Sequence, residues 1–109
     1  MKDIEEIINK LIEFRNERNW EQFHNSKDLA IAISVEANEL LELFLWKETE
    51  SADKEKIKEE LADILAFAFL LAHKHNLNVK EIILNKIKAN AIKYPVDKAK
   101  GTAKKYNEL

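Results

Sequence analysis

The sequence predicts an all-α protein built as a bundle of four to five helices. The chain has 109 residues with one Gly, one Pro and no Cys, so it has little of the turn chemistry that a many-stranded sheet needs. The missing Cys also excludes disulfides and thiolate zinc sites. Hydrophobic residues make up 46% and charged residues 35%, which is typical of a folded globular chain. At this length we expect a single domain over residues 1–109.

The spacing of apolar residues predicts the first two helices. The first runs from about Ile4 to Arg18, with Asp3 placed to cap its N-terminus. The segment 19–26 combines aromatic rings with cap-forming residues, so it is interpreted as a loop. The second helix then spans roughly Lys27 to Trp46.

Two further helices follow in the C-terminal half. A polar connection leads into the third helix, at about Lys54 to His75, and its short length makes helices two and three antiparallel neighbours. The fourth helix, Val79 to about Lys93, is preceded by Asn78 and stops before Pro95. The basic tail over residues 95–109 is expected to be irregular. Candidate N-caps of the third helix are Thr49, Ser51 and Asp53.

Charge and hydropathy exclude several classes of protein. The 18 Lys and Arg against 20 Asp and Glu leave a net charge of -2, which offers no long-range attraction for nucleic acid. The most apolar run, Leu61 to Ala72, is interrupted by Asp63 and is shorter than the roughly 20 residues of a membrane span. The N-terminus has acids where a signal peptide needs a basic start. We therefore expect a cytoplasmic enzyme or binding module.

Pairs of acids interrupt the most apolar parts of the two central helices. Glu36 and Glu39 are three residues apart, as are Glu60 and Asp63, so each pair shares a helix face. Antiparallel packing brings up to four carboxylates together, and such a cluster needs a proton or a cation. A site that is rich in oxygen ligands and lacks Cys favours Mg²⁺, with Mn²⁺ as a substitute. The alternative is that these acids are ordinary solvated side chains.

An oxygen-only magnesium site usually holds phosphate, which points to phosphoryl or nucleotidyl chemistry. Lys86 and Asn90 share a face of the fourth helix, suited to phosphate oxygens, although a solvated face explains them as well. Trp20 and His24 in the polar loop are candidates for stacking on a base, against the alternative of core aromatics. Glu42 and Glu59 are either outer ligands, a base, or surface acids. A ferritin-like di-iron site is disfavoured because its Glu-x-x-His motifs are missing from the predicted helices.

These motifs resemble the MazG-like all-α nucleoside triphosphate pyrophosphohydrolases, and within them the dCTP pyrophosphatase branch. The family pattern of Glu-x-x-Glu followed by Glu-x-x-Asp is matched by the two acid pairs. The likeness runs from about Phe14 to the C-terminus, and it includes the stretches 15–24 and 42–47 and the tail residues Lys93, Tyr94, Gly101 and Tyr106. One departure is Asn38, where relatives often have Gly.

The resemblance implies hydrolysis of a deoxynucleoside triphosphate, dCTP or a modified dCTP, to the monophosphate and pyrophosphate, which clears unwanted nucleotides. It implies catalytic, Mg²⁺-binding roles for Glu36, Glu39, Glu60 and Asp63, and an oligomeric helical bundle, a dimer or tetramer. The substrate-binding residues that it implies are Trp20, His24, Trp46, Lys86, Asn90 and Tyr94.

Two rival functions remain open from the sequence. One is a non-catalytic helical module that binds a partner chain, and the other is a dUTP-type or broad-range pyrophosphohydrolase of the same superfamily. Independently of the resemblance, the third helix is apolar almost all round from Ile64 to Ala72. A helix of that kind needs cover on every side, which predicts self-association.

Overall fold

A computed structural model describes residues 2–47 and 51–109. Across these two ranges all regular structure is helical, as the sequence predicts. The five α-helices are α1 (Lys2–Glu17), α2 (Ser26–Glu42), α3 (Lys54–Lys74), α4 (Val79–Lys93) and α5 (Val96–Ala99). Single turns of 3₁₀-helix cover Glu21–Phe23 and Tyr106–Glu108.

The chain forms two compact units. The first extends to Leu77 and contains α1, α2 and α3, and the second begins at Asn78 and contains α4, α5 and the tail. The expectation of a single domain stays a prediction. Within the part of the chain that the structure describes, no helix has both the length and the apolar character needed to cross a bilayer.

The first unit is organised around α3, which packs against both α2 and α1. Ser26, the first residue of α2, has its Oγ 2.9 Å from Nε2 of His75, the residue that follows α3. The start of α2 therefore meets the end of α3, so the two helices are antiparallel, as predicted. Leu29 of α2 and Leu70 of α3 are buried, because each presents its apolar side to the neighbouring helix.

Side-chain caps begin three of the helices. Oδ1 of Asn25 accepts the backbone N–H of Asp28, which fixes the first turn of α2. The predicted caps Asp53 and Asn78 are both confirmed, because their side chains accept backbone N–H groups in the first turns of α3 and α4. The candidate cap Thr49 lies outside the described residues.

Two predicted helix boundaries are wrong, and so is the expectation of an irregular tail. Helix α1 begins at Lys2, so Asp3 lies in its first turn, where its charge suits the helix dipole, and is not the N-cap. Helix α2 ends at Glu42 instead of Trp46, because the backbone tightens into turns and Trp46 adopts a φ of 65°. The tail is not wholly irregular: the carbonyl of Pro95 accepts backbone N–H groups and starts α5.

Helices α1 and α3 end in the same way. In each, an Asn adopts a left-handed conformation, Asn19 with φ 52° and Asn76 with φ 56°. The next residue then donates its N–H back five residues, from Trp20 to Arg15 and from Leu77 to Ala72. This is a Schellman motif, for which Asn is the usual alternative to Gly.

Candidate active site

Carboxylates from α2 and α3 meet between the two helices. One carboxylate oxygen from each of Glu36, Glu60 and Asp63 lies within 4.8 Å of the others. The three-residue spacing of the acids and the antiparallel packing place them together. The fourth predicted acid, Glu39, lies within hydrogen-bonding reach of Glu36 and Glu60 but outside this closest set. The structure thus brings all four predicted carboxylates into one acidic cluster.

The acidic cluster perturbs its own protonation. Desolvation raises the pKa of Glu36 from 4.5 to about 7, and hydrogen bonding to Glu39 and Glu60 adds to the rise. Negative charge on Glu39 and Asp63 raises it further. Desolvation also raises the pKa of Glu60, although the hydrogen bond with Glu36 acts in the opposite direction. At about pH 7 the Glu36 carboxyl of the metal-free chain is therefore divided between its protonated and its charged form.

The cluster has the features of a cation site. Oε2 of Glu36 and Oε2 of Glu60 are buried without a hydrogen-bond partner in the described structure. Buried anionic oxygens without partners are costly, and a hard divalent cation is the partner that an all-oxygen donor set suits. The acidic cluster is therefore a candidate metal-binding site.

The raised pKa of Glu36 gives a testable pH dependence. A carboxyl whose pKa rises on folding contributes stability that is fully present below its unfolded value, 4.5, and is lost as the pH rises through about 7. In chelator the melting temperature should therefore fall across this window. A divalent ion should restore it above pH 7, because it replaces the proton among the carboxylates. Thermal melts followed by circular dichroism, with Mg²⁺ or with EDTA, measure both effects.

The Glu36→Gln variant is the control for this titration. Desolvation, and secondarily the charge of Arg15, lower the pKa of His24, which makes folding less favourable as the pH falls below 6.5. This effect has the opposite sign and should persist in Glu36→Gln, whereas the fall between 4.5 and about 7 should shrink. Equal slopes in the two proteins over that range would contradict the assignment.

An apolar cavity of about 660 Å³ adjoins the acidic cluster. Its walls come from α1, the 3₁₀ turn region and α3, and they carry the rings of Phe14, Trp20, His24 and Phe67. Asp63 lines the cavity and also belongs to the acidic cluster. A bound molecule can therefore place an aromatic group among the rings while its other end lies near the acidic cluster, where an anionic group needs a cation as partner. We call this space the aromatic cavity.

His24 enters the aromatic cavity as a neutral ring. Its lowered pKa keeps the imidazole uncharged at pH 7. The ring meets Phe67 edge to face, with centroids 6.5 Å apart, and its Nδ1 is buried without a hydrogen-bond partner among the described residues. Arg15, which lines the same cavity, forms an ion pair of 3.8 Å with Glu21. Because Nδ1 is covered, a hydrogen bond from this neutral imidazole to an uncharged base would have to come from Nε2.

Comparison with known proteins tests the resemblance that was inferred from the two acid pairs. A family model described as the MazG-like family matches residues 31–109. The chain belongs to the MazG-like family. The proteins named dCTP pyrophosphatase 1 from Bos taurus and Homo sapiens are 36% and 33% identical to it over 114 residues. These alignments cover 97% of this chain and 68% and 67% of the two relatives, respectively.

A solved structure resembles the MazG-like chain closely. The crystal structure of a pyrophosphatase from Archaeoglobus fulgidus superposes with a TM-score of 0.80 at 35% sequence identity. The match covers 85% of this chain and 93% of that one. The resemblance inferred from the two acid pairs and the predicted all-α bundle are both confirmed.

Trp46 does not lie with the other predicted base-binding rings of this MazG-like chain. Trp20 and His24 line the aromatic cavity, whereas Trp46 is 100% exposed at the turn that follows α2. Its backbone adopts a φ of 65°, and this turn places it beyond the helix instead of on a helical face. A pocket that includes all three rings is not formed within the described part of one chain.

The predicted phosphate-binding residues belong to the second compact unit of the MazG-like chain. Lys86 and Asn90 are exposed on α4, where their four-residue spacing gives them one face. Tyr94 caps the end of this helix by donating its backbone N–H to Asn90, and its ring meets Tyr106 edge to face with centroids 6.3 Å apart. Their role in binding substrate stays a prediction.

The sequence did not single out Phe14, Phe67 or Arg15 as cavity residues. Phe67 lies one helical turn after Asp63, so its spacing from the acid pair was an available signal. Asn38, the departure from the family pattern, donates from Nδ2 to Oε1 of Glu42 at 3.2 Å. Glu42 and Glu59 are both exposed, which favours their interpretation as surface acids.

Proposed function

We propose that this MazG-like chain is a nucleoside triphosphate pyrophosphohydrolase that acts on dCTP or a modified dCTP. One observation carries the proposal: Asp63 belongs both to the acidic cluster and to the aromatic cavity. The geometry suits a nucleotide whose base lies among rings and whose phosphates lie at carboxylates. The names of the mammalian relatives and of the archaeal pyrophosphatase support this substrate class and reaction.

We infer that Glu36, Glu39, Glu60 and Asp63 hold Mg²⁺, with Mn²⁺ as a substitute. The oxygen-only donor set and the two unpartnered buried oxygens support this inference. The ion supplies charge neutralisation for the triphosphate and makes nearby water more acidic. Carboxylates repel phosphate oxygens, so the acidic cluster would hold the triphosphate only through the bound cation, and Asp63 connects the cluster to the cavity that would receive the base.

The reaction breaks the linkage between the α- and β-phosphates. Water supplies the oxygen that forms the new bond to phosphorus, and pyrophosphate leaves. A carboxylate of the acidic cluster accepts the proton that the water loses. No side chain becomes covalently modified in this scheme.

The base and the phosphates would each have their own contacts. Trp20 offers a partly exposed ring for stacking, and the neutral His24 offers hydrogen bonding to an uncharged base. Lys86, Asn90 and Tyr94 are proposed to contact phosphate oxygens. An apolar cavity without a permanent charge on His24 favours an uncharged nucleobase over a charged group.

A nucleotide panel tests the proposed function. The protein is incubated with Mg²⁺ and each deoxy- and ribonucleoside triphosphate, and pyrophosphate is measured with and without EDTA. We expect release from dCTP that stops in chelator. A higher rate with dUTP, or equal rates with all nucleotides, would identify the alternative pyrophosphohydrolases. No pyrophosphate from any nucleotide would support a non-catalytic partner-binding module.

We further propose that the protein is a homo-oligomer, a dimer or tetramer. Apolar side chains on α2 and α3 remain about half exposed in the single chain. They include Ile31 and Val35 on α2, and Leu61 and Leu65 on α3. Apolar exposure on this scale marks surfaces that associate. Absence of nucleic-acid and membrane partners, and a cytoplasmic location, stay predictions.

Light scattering coupled to gel filtration measures the oligomeric state. A protomer of 12.7 kDa should elute at a mass about two or four times larger at micromolar concentration. Exchanging both Val35 and Leu65 for Glu should shift the distribution towards the protomer, because it places charges on the apolar surfaces. The exposed acid Glu13 gives a matched control, Glu13→Gln, which should leave the mass unchanged. A monomeric wild-type protein would refute the proposal.

A further inference from the structure

Two rings form one wall of the aromatic cavity. Phe14 of α1 and Trp20 of the following turn meet edge to face, with centroids 5.8 Å apart and planes inclined by 71°. Both rings line the cavity, yet they are 49% and 43% exposed. Half-exposed rings are not fixed by dense core packing, so their orientation depends on the few contacts that they make.

The backbone places Trp20 beside Phe14 through the Schellman motif at the end of α1. Asn19 takes the left-handed conformation, and the N–H of Trp20 bonds to the carbonyl of Arg15 at 3.1 Å. In this motif the residue after the left-handed position contacts an apolar residue in the last turn of the helix. Trp20 and Phe14 are that pair. The motif sets the position of the Trp20 backbone, but it leaves the ring free to rotate about its side-chain bonds.

Arg18 covers the Phe14 ring from outside. Its Cζ lies 3.6 Å from the ring centroid, and its Nη1 donates to the Phe14 carbonyl at 3.0 Å. The guanidinium therefore stacks on the π-face of Phe14 while a hydrogen bond holds the Arg18 side chain in place. Phe14 therefore contacts both the Arg18 cation and the Trp20 ring. Arg18 lies on the face of Phe14, and Phe14 meets Trp20 edge to face, so Phe14 links Arg18 to Trp20.

We propose that Arg18 and Phe14 are positioning residues for nucleobase recognition, because they hold the Trp20 ring in the orientation that stacks on the base. Arg18 acts through Phe14. The inference rests on the proposed function, and it assigns specific roles to two side chains that the acidic cluster does not involve. Its consequence is that Arg18 affects substrate binding and leaves the hydrolytic step unchanged.

Steady-state kinetics with dCTP test this role. Arg18→Ala should raise KM roughly two- to fivefold, the factor that an exposed cation–π contact supplies, with kcat unchanged. Arg18→Lys keeps a cation near the ring and should recover part of the loss. Glu17→Ala, at the exposed neighbouring position on α1, is the matched control and should keep the wild-type KM. Phe14→Leu, which removes the ring contact, should raise KM further than Arg18→Ala.

Trp20 fluorescence provides a second measurement that does not depend on turnover. In a Trp46→Phe background Trp20 is the single Trp, since the chain has 2. Arg18→Ala should then lower the fluorescence anisotropy of Trp20 and weaken its response to added dCMP. A merely structural Arg18 would lower the melting temperature without moving KM or anisotropy, and that result would overturn the inference.

The outcomes separate the two proposals. If the wild-type protein releases no pyrophosphate from any nucleotide, the proposed function fails, and unchanged dCMP binding in Arg18→Ala would overturn the positioning role as well. If the wild type is active but Arg18→Ala matches Glu17→Ala in KM, the positioning role fails while the function stands. A fall in kcat equal to the rise in KM would also overturn it, because positioning acts on binding.

Discussion

Glu36→Gln should lose Mg²⁺-dependent pyrophosphate release by at least about a hundredfold while remaining folded. Gln keeps the size of the side chain but removes the negative charge that a divalent ion needs. The same exchange relieves repulsion in the acidic cluster, where the charges of Glu39 and Asp63 raise the pKa of Glu36. The melting temperature in EDTA should therefore equal or exceed that of the wild type. Pyrophosphate assays and thermal melts on the same preparation measure both effects.

Glu59→Gln is the matched control for this result. It makes the same chemical change next to Glu60, at an exposed position on α3. Because Glu59 is outside the acidic cluster, its variant should keep nearly wild-type turnover. Full activity in Glu36→Gln would refute the metal assignment. An equal loss in Glu59→Gln would show that net charge on α3, and not the cluster, controls the activity.

Trp46→Ala should raise KM for dCTP about 5- to 150-fold, the factor that corresponds to base–aromatic stacking of about 1–3 kcal/mol. The chain leaves this ring fully exposed and outside the aromatic cavity. The resemblance nevertheless assigns it to the base pocket. The two observations agree if Trp46 reaches the cavity of a second copy in the proposed homo-oligomer. The kinetic change alone does not tell which copy uses the ring.

Mixing variants identifies the copy that uses Trp46. Glu36→Gln subunits lack the metal site, and Trp46→Ala subunits lack the ring. If the ring acts between copies, reassociation of the two pools at equal concentration should restore dCTP turnover at up to about a quarter of the sites in a dimer. Each restored site would combine carboxylates from one copy with Trp46 from the other. If the mixed subunits hydrolyse dCTP no faster than the average of the two separate pools, Trp46 acts in the site of its own chain.

The sequence predicted the central helices because their caps and periodicity agree with their packing. Asp53 and Asn78 have side chains that accept hydrogen bonds at helix starts, so those boundaries followed from local chemistry. The carboxylates that meet also follow from spacing, since residues three apart share a face and α2 and α3 are antiparallel. Local rules therefore suffice for the acidic cluster.

Features that depend on tertiary contacts were harder to predict. The run from Leu40 to Trp46 has helical composition, yet the backbone turns after Glu42, and no Gly or Pro marks that change. The contribution of Phe14 and Phe67 to the aromatic cavity requires the packing of α1 on α3, which periodicity does not specify. Apolar residues on helices are more often core than cavity lining, so composition gave no reason to select these two.

Asp63 lies in both the acidic cluster and the aromatic cavity, and this position bears on how the proposed enzyme discriminates among nucleotides. If the proposed function holds, we expect a base that fits poorly among the rings to disturb the metal-binding carboxylates as well, since Asp63 borders both spaces. Wrong substrates are then penalised at the moment of bond cleavage as well as on entry.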